Sequence, residues 1–116
     1  MSAEAEVAGW RALVPTVDVE VGTPKKIDLA GRSPVAVFHL EGGDFCVTDD
    51  TCTHGEASLS DGFVEGDEVE CPFHSGKFCV RDGRATVFPA ELPIRVYATR
   101  IIDGQVCIPE GEAAAA

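Results

Sequence analysis

Cys52-Thr53-His54 and Cys71-Pro72-Phe73-His74 are the stretches whose residue types and spacing could do chemistry, and sixteen residues separate them. Each offers one thiol and one imidazole. Two thiolates and two neutral imidazoles converging on one point make a metal site, and two readings fit it. One is structural zinc, held tetrahedrally by Cys₂His₂. The other is a two-iron, two-sulfide cluster with both cysteines on one iron and both histidines on the other. Zinc fingers usually pair Cys with Cys and His with His, whereas each stretch here supplies one of each. The mixed order suits a dinuclear cluster, with Cys52 and Cys71 on one iron and His54 and His74 on the other. The ligand set alone still leaves zinc open. Four protein ligands leave no position for a substrate, and no nucleophile–base pair is evident, so the chain reads as a transfer protein rather than an enzyme.

The elements that must position these residues are short strands. Gly42-Gly43, Asp61-Gly62, Gly66-Asp67, Asp82-Gly83 and Asp103-Gly104 are pairs that supply positive φ in tight hairpins. Between them, Val17–Val21, Val35–Leu40, Asp44–Thr48, Asp67–Cys71, Ile94–Ile102 and Gln105–Ile108 read as strands. Many short strands with glycine turns predict an all-β sandwich or barrel. The segment Gly55–Gly62 has room for one helical turn at most. Asp44–Thr48 leads into the first Cys–His pair, Asp67–Cys71 delivers the second, and Gly76–Val80 leaves it. Each pair therefore sits on a loop between strands, and the loops can meet at one tip.

At 116 residues the chain reads as a single domain, with residues 111–116 expected to be a disordered tail. Twenty acids against nine bases give a formal charge of −11, which argues against a nucleic-acid partner. Seven of those net negative charges fall between Asp49 and Asp82, around the ligand pairs. They form either a solvated loop surface or a field that steers a docking partner. No apolar run reaches the roughly 20 residues that span a bilayer, and the first residues do not read as a secretory signal. The expected compartment is the cytoplasm, where clustered Cys and His are metal ligands before they are disulfides.

The pattern C-x-H, sixteen residues, C-x-x-H, with Gly after the first His and Pro after the second Cys, resembles that of Rieske [2Fe–2S] proteins. More narrowly, Cys52–Ala85 is similar to the small Rieske-type ferredoxins of bacterial aromatic ring-hydroxylating dioxygenase systems, and the likeness runs from about Trp10 to Pro109. The resemblance implies a Rieske-like antiparallel β-sandwich base with a small inserted cluster-binding subdomain, at about residues 48–82. It implies one [2Fe–2S] cluster, with Cys52 and Cys71 on the buried iron and His54 and His74 on the iron nearest the surface. The implied function is one-electron transfer from a flavin-dependent NAD(P)H reductase to a terminal Rieske non-haem iron oxygenase, by a soluble monomer. The alternatives are the Rieske small subunit of an assimilatory nitrite reductase and, from another class, a zinc-stabilised interaction module. High-potential Rieske proteins carry an extra cysteine in each ligand loop, and Phe73 stands at one of those positions here. They also carry a Ser and a Tyr that hydrogen-bond the cluster and its Cys sulfur, where this chain has Gly76 and Phe78. Losing those bonds lowers the expected potential.

Other residues read more plainly. His39 is an ordinary strand residue, and Cys46, Cys79 and Cys107 pack as small hydrophobes. Phe63 and Phe78 are expected in the core and Trp10 in core or edge packing, while Phe73 sits at the tip. Val87–Pro93 resembles the family's proline-containing covering loop, with Pro89 as the shielding residue. Backbone N–H groups of Gly55, Glu56, Ser75 and Gly76 are candidates to bond the sulfides, with positive φ expected at Gly55 and Gly76.

Overall fold

The computed structural model describes residues 9–53, 57–73, 75–88, 90 and 92–110. His54, Gly55, Glu56, His74, Pro89 and the 111–116 tail lie outside the described residues. The described residues form eleven strands: β1 (Trp10–Pro15), β2 (Lys25–Leu29), β3 (Arg32–His39), β4 (Phe45–Asp49), β5 (Phe63–Glu65), β6 (Glu68–Glu70), β7 (Lys77–Cys79), β8 (Ala85–Val87), β9 (Val96–Tyr97), β10 (Arg100–Ile102) and β11 (Gln105–Pro109). They make three sheets, ordered β1-β11-β10, β2-β3-β4-β9 and β5-β6-β7-β8, with every strand pair antiparallel. The all-β expectation is borne out, and no helix among the described residues is long and apolar enough to cross a membrane.

The first two sheets face each other as a sandwich. Val14 of β1 and Val106 and Ile108 of β11 pack with Val35 and Val37 of β3 and Val47 of β4. The other face of β3, with Ala36, Phe38 and Leu40 at or just beyond its end, belongs to a second core. Burial on both faces explains the near-continuous apolar run at Val35–Phe38, since a strand covered on one side alternates. The third sheet is inserted between β4 and β9 and supplies much of that second core. Val64, Val69, Phe78 and Ala85 lie directly opposite one another across its four strands and face inward. The next row, Phe63, Glu70, Lys77 and Val87, faces away from that core.

Several expected elements differ. Val17–Val21 is not a strand: Pro15 closes β1, a 3-10 turn covers Thr16–Asp18, and Val17 is 87% exposed. Only Val19 of that alternating run is buried. Ile94–Ile102 is two strands in different sheets, β9 pairing with β4 and β10 with β11. The chain changes sheets at Ala98-Thr99, where Thr99 Oγ1 donates to the Tyr97 carbonyl at 3.0 Å. The Asp61-Gly62 pair ends a 3-10 turn over Leu59–Asp61 and has no positive φ, Gly62 lying at −86°. Glycine is needed there for close approach, because a Cβ would sit 2.1 Å from the Glu70 carbonyl oxygen. Gly83 meets both demands, with φ of +84° and a Cβ position 2.2 Å from the Ile94 carbonyl oxygen.

Candidate metal centre

The two candidate ligand loops share one backbone device. The Cys52 N–H donates to the Ala57 carbonyl at 2.9 Å, and the Cys71 N–H donates to the Gly76 carbonyl at 2.8 Å. Each bond turns the chain back on itself five residues on, across the segment that holds the paired histidine. In the second loop the Ser75 N–H also donates to the Cys71 carbonyl at 3.1 Å, and Ser75 holds a positive φ of 64°. That loop joins β6 to β7, whose last and first residues, Glu70 and Lys77, are paired. The first loop follows β4 and is flanked by a single bridge, Thr51 opposite Ser58.

The fold buries the two cysteines in one core. Cys52 is 2% exposed and Cys71 1%, both lie in the second core, and neither is in a disulfide. A pair of soft donors buried in one core, with no disulfide between them, fits the inner half of a thiolate-held metal centre. Among the described residues no three metal-binding side chains group together, and the two candidate histidines lie outside those residues. The covering segment is tied to the first loop, since Thr53 Oγ1 donates to the Leu92 carbonyl at 2.8 Å. In the same segment the Ala90 N–H donates to the Val87 carbonyl at 3.1 Å.

The surroundings divide into apolar rim and buried support. Phe73 is 75% exposed on the second loop, and Phe88 and Leu92 are exposed on the covering segment. Phe63 is also exposed, contrary to the expected core position, because it sits on the outer row of the inserted sheet. Phe78 is fully buried as expected and brings a ring with no hydroxyl into the core that holds both cysteines. Phe88 and Leu92 were not singled out in the sequence, where only their proline neighbours drew notice. Asp50, counted there among surface acids, is buried.

The remaining candidates are accounted for away from the loops. His39 is fixed by its Nδ1, 2.8 Å from the Val19 carbonyl oxygen, and stacks on Phe45 with ring centroids 4.1 Å apart. Cys46, Cys79 and Cys107 are buried free thiols. Burial pushes the Cys46 thiol up to about 11, against the opposing pull of Arg81. A thiol so hard to ionise packs as a neutral side chain. Trp10 packs under the Arg100 guanidinium, 4.7 Å from the ring centroid.

A family model described as Rieske [2Fe–2S] domain matches residues 9–98. The chain belongs to the Rieske [2Fe–2S] domain family, and the group its donor set fits is one Rieske-type [2Fe–2S] cluster. It is 40% identical over 108 residues to the anthranilate 1,2-dioxygenase ferredoxin subunit of Burkholderia cepacia, covering 93% of this chain and 98% of that one. Among solved structures it is similar to the Sphingomonas yanoikuyae B1 ferredoxin, with a TM-score of 0.83 and 39% identity over 86% of this chain and 97% of that one. It is also similar to a chain in the complex of reduced oxygenase and oxidized ferredoxin of carbazole 1,9a-dioxygenase, with a TM-score of 0.80, 37% identity, and coverage of 91% and 93%. A structure described as an NADH-dependent nitrite reductase small subunit from Mycobacterium tuberculosis shares the fold, at 20% identity and a TM-score of 0.76 over 92% of this chain and 95% of that one.

Proposed function

We propose that this chain is a one-electron carrier that takes electrons from a flavin-dependent NAD(P)H reductase and delivers them to a terminal Rieske non-haem iron oxygenase acting on an aromatic compound. Its bound cluster supplies the electron-carrying site. Cys52 and Cys71 hold the inner iron from within the second core, and His54 and His74 hold the outer iron. The observation that carries the reading is the apolar rim: Phe73, Phe88 and Leu92 are exposed on the ligand and covering segments of a strongly acidic chain. Exposed aromatics beside a redox centre suit a partner that docks and leaves, with acids around them steering the approach. The relatives' names support the assignment to a dioxygenase system, and the carrier acts as a cytoplasmic monomer with its cluster-binding subdomain at about residues 48–82.

The potential belongs at the lower end of the Rieske range, which runs from about −150 to +300 mV. Phe78 cannot donate a hydrogen bond to the cluster region, and hydrogen bonds to the sulfurs favour the reduced state. The test is a potentiometric titration followed by EPR, coupled to electron transfer through a reconstituted reductase and oxygenase. Phe73→Ala should slow transfer roughly tenfold while leaving the potential unchanged. A potential near the top of the range, or transfer indifferent to Phe73, would sink the reading. Tight copurification with one large reductase chain would move the assignment to the nitrite reductase class.

A further inference from the structure

Asp50, the residue after β4, is 1% exposed; with Thr48 it is one of two buried polar side chains recorded among the described residues. Its Oδ1 accepts the Ser60 N–H at 2.9 Å, and its Oδ2 accepts the Ser58 hydroxyl. The backbone of Asp50 is used as fully. Its N–H donates to the Pro34 carbonyl at 3.1 Å, and its carbonyl accepts the Leu59 N–H at 2.7 Å. One residue thus binds β3 on one side and residues 58–60 on the other. Between those attachments the chain makes the loop that carries Cys52 and His54.

A carboxylate is costly to bury, and burial is tolerated when its oxygens are satisfied. An ionised carboxylate is acceptor-only on both oxygens, so it can draw in a backbone amide and a hydroxyl together. Ser58 meets the Ser60 hydroxyl at 2.9 Å as well, which closes the clamp into a small network. The first loop needs such a device: among the described residues its flanking strand-type pairing is the isolated Thr51–Ser58 bridge, whereas paired strands flank the second.

We infer that Asp50 is a positioning residue for the metal centre: its carboxylate clamps Ser58 and Ser60 across the neck of the first ligand loop and fixes the shape in which that loop presents Cys52 to the cluster. This rests on the assignment of Cys52 and His54 as ligands.

The test compares the holoprotein with Asp50→Ala, Asp50→Asn and Ser58→Ala. Asp50→Ala should bleach the visible absorption of the cluster about tenfold faster under a chelator and broaden the reduced EPR lines. Hydrogen exchange should rise at Leu59 and Ser60 while β3 and β4 exchange as before. Asp50→Asn should restore most of the retention, since its amide oxygen can accept the Ser60 N–H and its NH₂ can donate to Ser58. Ser58→Ala should fall between, and keeps the test decisive if Asp50→Ala does not fold. Wild-type bleaching and exchange in Asp50→Ala, or in Ser58→Ala should Asp50→Ala not fold, would overturn the inference. So would acceleration matched by equal loosening of β3 and β4, which would mean general destabilisation. Failure of the ligand assignment is separate: it would show as a cluster retained without Cys52 or His54, with the exchange pattern at Leu59 and Ser60 unaffected.

Discussion

Cys52 and Cys71 each turn their loop with the same amide-to-carbonyl bond, yet the two loops are braced differently. The second rises from the end of β6 and returns into β7, so the sheet ladder holds its base. The first leaves β4 and does not return to a strand partner. A buried acid and two serines do for it what a hairpin does for the other. A metal centre assembled from two loops thus needs both to be stiff, but a fold can reach stiffness by ladder or by side-chain clamp. The two solutions differ in vulnerability: a ladder spreads its bonds over many residues, whereas the clamp concentrates them on one.

The comparison breaks most completely at the cysteines. Cys52→Ser and Cys71→Ser should each abolish the visible and EPR signals of the cluster, whereas Cys79→Ala, a buried thiol outside the loops, should keep them. The next largest effect is expected where the loops touch. Gly62, at the exit of the first loop, lies against the carbonyl of Glu70, which immediately precedes Cys71. Gly62→Ala forces those backbones apart and should cost about 1–3 kcal/mol, read as a lowered midpoint in denaturant. It should also loosen both loops at once in hydrogen exchange, in contrast to the one-sided effect at Asp50.

Smaller effects sharpen the surface and the packing. Glu68→Lys with Glu70→Lys should slow electron transfer by roughly threefold at low ionic strength and by little at high salt. Stopped-flow kinetics across a salt series would show it, and salt-independent rates would remove the steering argument. The smallest effect is alkaline. The Cys46 thiol is raised from 9.0 to about 11 in the folded state, so the folded chain keeps a proton that the unfolded chain releases. Stability from that group is present below about pH 9 and falls as pH rises toward 11. Cys46→Ala should flatten that part of the denaturation profile, and an unchanged slope would assign the loss elsewhere.

The candidate ligand cysteines stand out in the sequence because their spacing is local and chemically specific. The turns at Gly42-Gly43, Gly66-Asp67 and Asp103-Gly104 were legible for the same reason, with positive φ at Gly42, Gly43, Gly66, Asp103 and Gly104. What eluded sequence reasoning depends on partners far along the chain. The alternation at Val17–Val21 promised a strand, but pairing with the sheets leaves only an isolated bridge between Val21 and His39. Lys25–Leu29 is not among the strands read from the sequence, yet it is held as β2 by the edge of β3. Phe63 faces outward because the register with β6 places Val64 and Val69 together inside. Asp50 looked like one more surface acid, since its partners Ser58 and Ser60 give no sign in the sequence that they fold back to it.

The alternating faces of β3 have a consequence for how the molecule comes apart. Val35 and Val37 belong to the sandwich core, and Ala36 and Phe38 to the core that encloses the cysteines. A single ribbon of backbone is thus the common wall of two compartments, and neither can lose that wall and survive alone. Melting should therefore proceed as one event, with the colour of the cluster and the ultraviolet signal of the sheets fading together, as in a building whose two rooms share one supporting wall.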